Sequence, residues 1–150
     1  MDKDFWIPII KSRCIRYGDF TLHSGIKSTW ICDLLVLLPS FPALMLELKP
    51  SNFPLVGIEF GGALLVTMAY PTTSGIIRKD GSTYNIPRYK KLTLVDDVVS
   101  TESSFLDAKE YLEASGYEIV EYLAILDRRK EENKTLIIRS LITAEDLGLE

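Results

Sequence analysis

A chain of 150 residues in which 47% of side chains are hydrophobic and 25% charged has the size and balance of one globular domain, since compact domains most often run to about 100–150 residues. That balance excludes disordered and fibrous classes. The net charge of −4 argues against a general nucleic-acid binder, which needs a basic surface to displace counterions from phosphates.

The chain opens with MDKDFWIPII, where acidic residues precede a short apolar run. A secretory signal needs a basic start and a longer apolar core, so a cytoplasmic protein is expected. Phe5 to Tyr17 mixes apolar and basic positions and ends at Gly18, which predicts a short opening helix broken by Pro8 near its first turn. Asp19 to Ser28 reads as turn and strand. Cys14 and Cys32 have neither CxxC nor zinc-type spacing and sit beside apolar residues, so reduced, buried thiols are expected and a disulfide framework is not.

From Asp33 to Pro54 the chain is apolar but interrupted by Pro39, Pro42, Pro50 and Pro54, so a helix is expected over only part of it, Ala43 to Lys49. Its longest apolar segment, Leu34 to Leu38, is far short of the roughly 20 residues that cross a bilayer. Leu55 to Phe60 predicts a buried strand ending at Gly61-Gly62, and Ala63 to Tyr70 a packed helix. Ser74 to Arg78 reads as a short strand. Lys79 to Lys91 is polar, contains Gly81 and Pro87, has no apolar period and is expected as a mobile loop.

Leu92 to Val95 is a compact apolar strand that runs into Asp96 and Asp97. Ser104 to Ala114 then carries Phe105, Ala108 and Leu112 at helical spacing. Ser104 with Asp107 fits a capping box, and Gly116 fits the left-handed stop. Glu118 to Leu126 supplies the next strand, with Asp127 at its carboxyl end. Strand, helix and strand in this span predict a βαβ crossover and a largely parallel sheet, whose ligands sit at the carboxyl ends of the strands.

The sharpest local feature is therefore LTLVDDVVSTESS, Leu92 to Ser104. An apolar strand delivers two adjacent carboxylates, suited to sugar hydroxyls. A turn rich in hydroxyls follows, and its amides at a helix N-terminus favour an anion. Together these describe a ribose-phosphate site. A plain strand-end turn with Ser104 as an ordinary helix cap is the other reading of the same residues. There is no GxxxxGK[ST], and Gly57, Gly61 and Gly62 lack GxGxxG spacing. The glycines after the first strand allow either close approach of a diphosphate or simply a tight turn.

LTLVDDVVSTESS resembles the phosphoribosyl-pyrophosphate motif of type I phosphoribosyltransferases. GDFTLHSGIKSTWICDL, Gly18 to Leu34, is similar to the N-terminal signature of orotate phosphoribosyltransferases, which reads Phe-x-Leu-x-Ser-Gly followed by Ser and an aromatic pair. VGIEFGGALL resembles that family's glycine turn, IIRKD its Arg-Lys-acid segment, AILDRRKE its strand after the crossover and SLITAEDL its C-terminal end. The matches occur in family order over nearly the whole chain.

The resemblance implies an α/β, type I phosphoribosyltransferase-like fold in a single domain, residues 1–150: a mainly parallel central sheet flanked by helices, with a small, trimmed hood. It implies transfer of 5-phosphoribosyl from phosphoribosyl pyrophosphate to orotate, with Mg2+ bound mainly through the donor, in a homodimer. The implied catalytic residues are Asp96, Asp97 and Lys79. Val98, Val99, Ser100, Thr101, Glu102, Ser103, Ser104, Gly61, Gly62 and Arg78 would bind the donor. His23, Ser24, Gly25, Lys27, Ser28, Trp30 and Arg128 would face the base. No protein ligand to a metal, no nucleic acid and no membrane are implied.

Three departures from the family pattern stand out. His23 replaces a Lys, Glu102 replaces a Gly in the phosphate turn, and Gly81 to Tyr89 is a shortened loop with Ser82 and Tyr84 where the family carries Lys and His. Arg88, Lys90 and Lys91 either substitute there or decorate a solvated loop. A Glu102 carboxylate turned to the phosphate would repel it. The alternative reading is thus a non-catalytic or regulatory homologue that binds the donor or a nucleotide, or a transferase for another base.

Overall fold

Residues 2–22, 24–88 and 90–150 are described by a computed structural model. His23, expected at the base, and Tyr89, in the shortened loop, lie outside the described residues. Helix α1 (Lys3–Arg13) starts at Asp2, whose carboxylate accepts from Phe5 N at 3.2 Å. Pro8 lies inside this helix and does not break it. Pro8 and Asp4 are both exposed, so the lost bond to the Asp4 carbonyl falls on the wet face, while Trp6 and Ile10 anchor the other face in the core. The helix also ends earlier than Tyr17. Strand β1 (Ile15–Thr21) begins there and pairs antiparallel with β2 (Lys27–Cys32), from Ile15 opposite Cys32 to Thr21 opposite Lys27 with a register shift between Tyr17 and Phe20.

A 3-10 turn, Leu34–Ser40, then leads into α2 (Phe41–Leu48). This helical region is longer than Ala43 to Lys49. Pro42 falls in the first turn of α2, where no N–H is needed, and Lys49 takes the left-handed stop at φ 51°.

Strands β3 (Leu55–Ile58), β4 (Ser74–Ile77), β5 (Thr83–Tyr84), β6 (Lys91–Val99), β7 (Glu118–Asp127) and β8 (Arg139–Thr143) form one sheet in the order β5-β4-β3-β6-β7-β8. All neighbours are parallel except β4 and β5. Helix α3 (Gly61–Ala69) links β3 to β4, and α4 (Ser103–Ala114) links β6 to β7. The expected crossover and parallel sheet are therefore present.

Alternation along the strands builds a core on each face. Leu55, Val95, Leu123 and Ile125 pack with Ile10, Phe41, Leu44 and Leu65. Val56, Leu94 and Ala124 turn the other way, onto Phe105, Ala108 and Leu112 of α4. Phe41 and Phe105 have no exposed surface, and burying a side chain of that size contributes about 1.5–3 kcal/mol.

Two local expectations are corrected. The stretch from Lys79 to Lys91 contains β5, which pairs back on β4 through a turn with Gly81 at φ +87° and the Asp80 carboxylate accepting from Ser82 N and Oγ. The capping box is absent: α4 is capped at Glu102 with no side-chain cap bond, and Ser104 lies inside the first turn. The stop at Gly116 holds, at φ +92°, with Gly116 N and Tyr117 N donating to the carbonyls of Glu113 and Leu112. Among the described residues no helix is long and apolar enough to cross a membrane.

Candidate active site

Strand β3 stops pairing with β6 at Gly57 opposite Val95, whereas β6 continues beside β7 to Val99 opposite Asp127. Beyond Val95 one edge of β6 is therefore uncovered, and Asp96 and Asp97 occupy that stretch. They line a cavity of about 870 Å³. Asp96 is buried and Asp97 half-buried. The Asp96 carboxylate accepts from Asp97 N and the Asp97 carboxylate from Val98 N, both at 2.8 Å. Burial and the neighbouring charge of Asp97 raise the Asp96 carboxyl well above its ordinary range, and Lys79 opposes this only weakly.

The glycine turn makes that exposure possible. A Cβ on Gly62 would lie 2.3 Å from the Val95 carbonyl oxygen, so only glycine lets the start of α3 rest on β6. Gly61 lines the cavity beneath Asp97. On the opposite rim Arg78 donates to the Glu59 carboxylate at 3.3 Å, and Lys79 N donates to the same group at 3.1 Å. Glu59 thereby ties the end of β4 to the turn before α3.

Ser100, Thr101, Ser103 and Ser104 also line the cavity, at the entry to α4. Thr101 Oγ1 and Ser103 Oγ are 2.9 Å apart. Val98 faces the cavity, while Val99 is buried in the core. The Glu102 side chain points away, neither to the cavity nor to solvent. Its carboxylate accepts from Arg129 Nη1 at 2.5 Å, from Thr135 N at 2.7 Å, from Leu136 N at 2.9 Å and from the Thr135 hydroxyl. Burial pushes this carboxyl up, but those donors outweigh it and hold the group at about 2.

On the hairpin side Ser24 and Arg128 reach the cavity. Gly25 and Lys27 are exposed, and neither they nor Ser28 and Trp30 line it. Ser28 and Trp30 instead hold Arg128, which donates to Ser28 Oγ at 2.6 Å and to the Trp30 carbonyl at 3.1 Å and stacks 3.5 Å from the Trp30 ring centre. Cys14 and Cys32 are free thiols; Cys14 is buried, whereas Cys32 is half-buried and lines the cavity.

Sequence reading missed Glu59, Phe60, Asp107 and Tyr111 on the cavity wall. Glu59 was detectable as the one acid between an apolar strand and a glycine pair. Asp107 and Tyr111 share a helical face with Ser104 at spacings of three and four, a pattern assigned there to capping.

An acidic pair on an uncovered strand, a hydroxyl-rich turn into a helix and a glycine turn packed against the pair form one continuous wall. The fold agrees with this. An orotate phosphoribosyltransferase from Aeropyrum pernix superposes with a TM-score of 0.78 at 24% identity, covering 95% of this chain and 98% of that one. The Mycobacterium tuberculosis orotate phosphoribosyltransferase in complex with 5-phospho-alpha-D-ribosyl 1-diphosphate superposes at 0.73 with 22% identity, covering 99% and 100%. The fold is therefore that of a type I phosphoribosyltransferase.

No protein-family model matches the chain. Orotate phosphoribosyltransferase of Methanospirillum hungatei is 30% identical over 85% of this chain and 84% of its own length, and that of Methanopyrus kandleri is 29% identical over 93% and 87%. The chain belongs to the orotate phosphoribosyltransferase family and is thus a phosphoribosyltransferase, one of the glycosyltransferases.

Proposed function

We propose that this chain, as one domain, transfers 5-phosphoribosyl from phosphoribosyl pyrophosphate to N1 of orotate, giving orotidine monophosphate and pyrophosphate for pyrimidine nucleotide synthesis. The observation that carries this reading is the Asp96-Asp97 pair sharing a cavity wall with the Ser100 to Ser104 turn. The bond from ribose C1 to pyrophosphate breaks as N1 bonds to C1 through an oxocarbenium-like transition state, and the proton that N1 gives up leaves with pyrophosphate or goes to solvent. Catalysis then rests on positioning and on neutralising the departing charge. Asp96 and Asp97 accept from the ribose hydroxyls, the amides at the α4 entry take the 5-phosphate, and Arg78 and Lys79 meet the pyrophosphate. Arg128 and the Ser24 turn face the base.

Among the described residues no group of three or more His, Cys, Asp or Glu is placed to hold a metal ion. Two carboxylates and a donor rich in phosphate oxygens suit Mg2+ carried by the donor, with Asp96 and Asp97 completing its surroundings. The ion would offset charge on the leaving pyrophosphate. A cytoplasmic homodimer is part of the same reading.

The short β4–β5 hairpin, with Ser82 and Tyr84 where the family has Lys and His, favours a second reading: a protein that binds the donor without transferring it. Incubation with phosphoribosyl pyrophosphate, Mg2+ and orotate, with release of pyrophosphate as readout, separates the two. Release establishes transfer; calorimetric donor binding without release, with orotate or any other base, establishes the second reading.

A further inference from the structure

The Glu102 carboxylate belongs to a buried cluster rather than to the cavity. Its partner Arg129 donates through Nε at 3.0 Å and Nη2 at 2.8 Å to Asp127, and through Nη1 to Glu102 and to the Leu136 carbonyl. Side-chain exposure is 2% for Arg129, 7% for Glu102 and 5% for Asp127. Two carboxylates face one guanidinium, and the excess negative charge is met by the Thr135 and Leu136 amides and the Thr135 hydroxyl.

This cluster joins three segments: the turn before α4, the carboxyl end of β7 and residues 135 and 136. Glu102 sits between Thr101 and Ser103, both of which line the cavity, and its carbonyl accepts from Leu106 N at 2.8 Å. Fixing its side chain from behind therefore fixes the direction of the amides and hydroxyls on either side. Buried charges that are fully paired in one arrangement are costly in any other, so the turn has one favoured shape before a ligand arrives. The neighbouring arginines divide the work. Arg128 points into the cavity against Ser28 and Trp30, and Arg129 points to the opposite side.

We infer that Glu102 is a positioning residue, whose ion pair with Arg129 and bonds to residues 135 and 136 preset the Ser100 to Ser104 turn for the 5-phosphate of the donor. This rests on the transfer reading for the identity of the ligand. The repulsion expected of a carboxylate turned to the phosphate does not arise, because this one is turned away. The turn tolerates the acid because its charge is consumed on the far side.

The test compares wild type with Glu102→Gly and Glu102→Gln by calorimetry, using ribose 5-phosphate and pyrophosphate as separate ligands. Glu102→Gly is expected to weaken ribose 5-phosphate binding about tenfold or more and to leave pyrophosphate binding unchanged, with Glu102→Gln in between. In steady state the KM for phosphoribosyl pyrophosphate rises while kcat holds. Unchanged ribose 5-phosphate affinity, or a parallel loss of both ligands, overturns the inference. If Glu102→Gly does not fold, Thr135→Val removes the hydroxyl bond and keeps the ion pair; the same split between ligands is then expected, and its absence is equally fatal. Ribose 5-phosphate binding is read without turnover. Failure of the transfer reading, seen as no pyrophosphate release from wild type, is thus a separate result.

Discussion

Gly61 leaves vacant the space that the Asp97 carboxylate occupies: a Cβ at residue 61 would stand 2.1 Å from Asp97 Oδ2 and 2.3 Å from its Cγ. The glycine is required by a side chain on the adjoining strand β6, not by its own backbone angles. In Gly61→Ala the half-buried Asp97 has to swing aside. Loss of about tenfold to a hundredfold in kcat/KM is expected, with the melting temperature nearly unchanged. Gly57→Ala behaves in the opposite way, because its Cβ meets Gly62 O at 2.3 Å and Ala63 Cα at 2.7 Å, and backbone cannot swing aside. Thermal unfolding of that variant should show a loss of about 1–3 kcal/mol.

Asp96 and Asp97 have to act together on the ribose. Calorimetry with phosphoribosyl pyrophosphate and Mg2+ should detect no donor binding in the double variant Asp96→Asn with Asp97→Asn, and wild-type affinity there would refute their assignment.

Asp96 itself is costly to the fold. Its carboxyl is raised by burial and by Asp97, so the folded state binds its proton more tightly than the unfolded chain. Stability on this account is fully present below the unfolded value and falls as pH rises from there toward the raised folded value. Asp96→Asn should therefore unfold at higher urea than wild type at pH 7, and the advantage should vanish near pH 3. The same variant should transfer more slowly, a stabilising change that costs function.

Glu102 runs the other way. Its carboxyl is held at about 2 against an ordinary 4.5, so its contribution is complete above 4.5 and is lost as pH falls toward 2. Unfolding free energies from urea titrations across that window should separate wild type from Glu102→Gln by about 1–3 kcal/mol at pH 7 and converge at the acid end.

Arg128 depends on a planar, forked head group: it donates twice, to Ser28 and Trp30, and stacks on the Trp30 ring. A lysine cannot reproduce all three contacts. Arg128→Lys should raise the KM for orotate about tenfold, leave the KM for the donor near wild type, and change the Trp30 fluorescence.

Much of the fold was legible along the chain. Leu55 to Ile58 before Gly61-Gly62, and Leu92 to Val95 before Asp96-Asp97, declare strands because buried parallel strands are continuous apolar runs. Phe105, Ala108 and Leu112 declare α4 because one helical face is buried. These are short-range patterns, enforced by residues within a few positions of one another. The acidic pair and hydroxyl turn were legible for the same reason, since strand, turn and helix N-terminus are contiguous.

Where each side chain points is a different matter. Glu102 reads as a negative charge set beside a phosphate until Arg129 and Thr135, 27 and 33 residues further on, draw its carboxylate to the other side of the turn. Trp30 reads as a base contact, yet it is buried and supports Arg128 across 98 residues. Glu59 and the end of β4 meet 20 residues apart. Local pattern follows from the backbone period and from which face is apolar, and both are written in consecutive residues. The partner of a buried charge depends on what the folded chain brings within hydrogen-bond range. That choice exists only once the sheet has formed, because outside it water satisfies the same groups equally well.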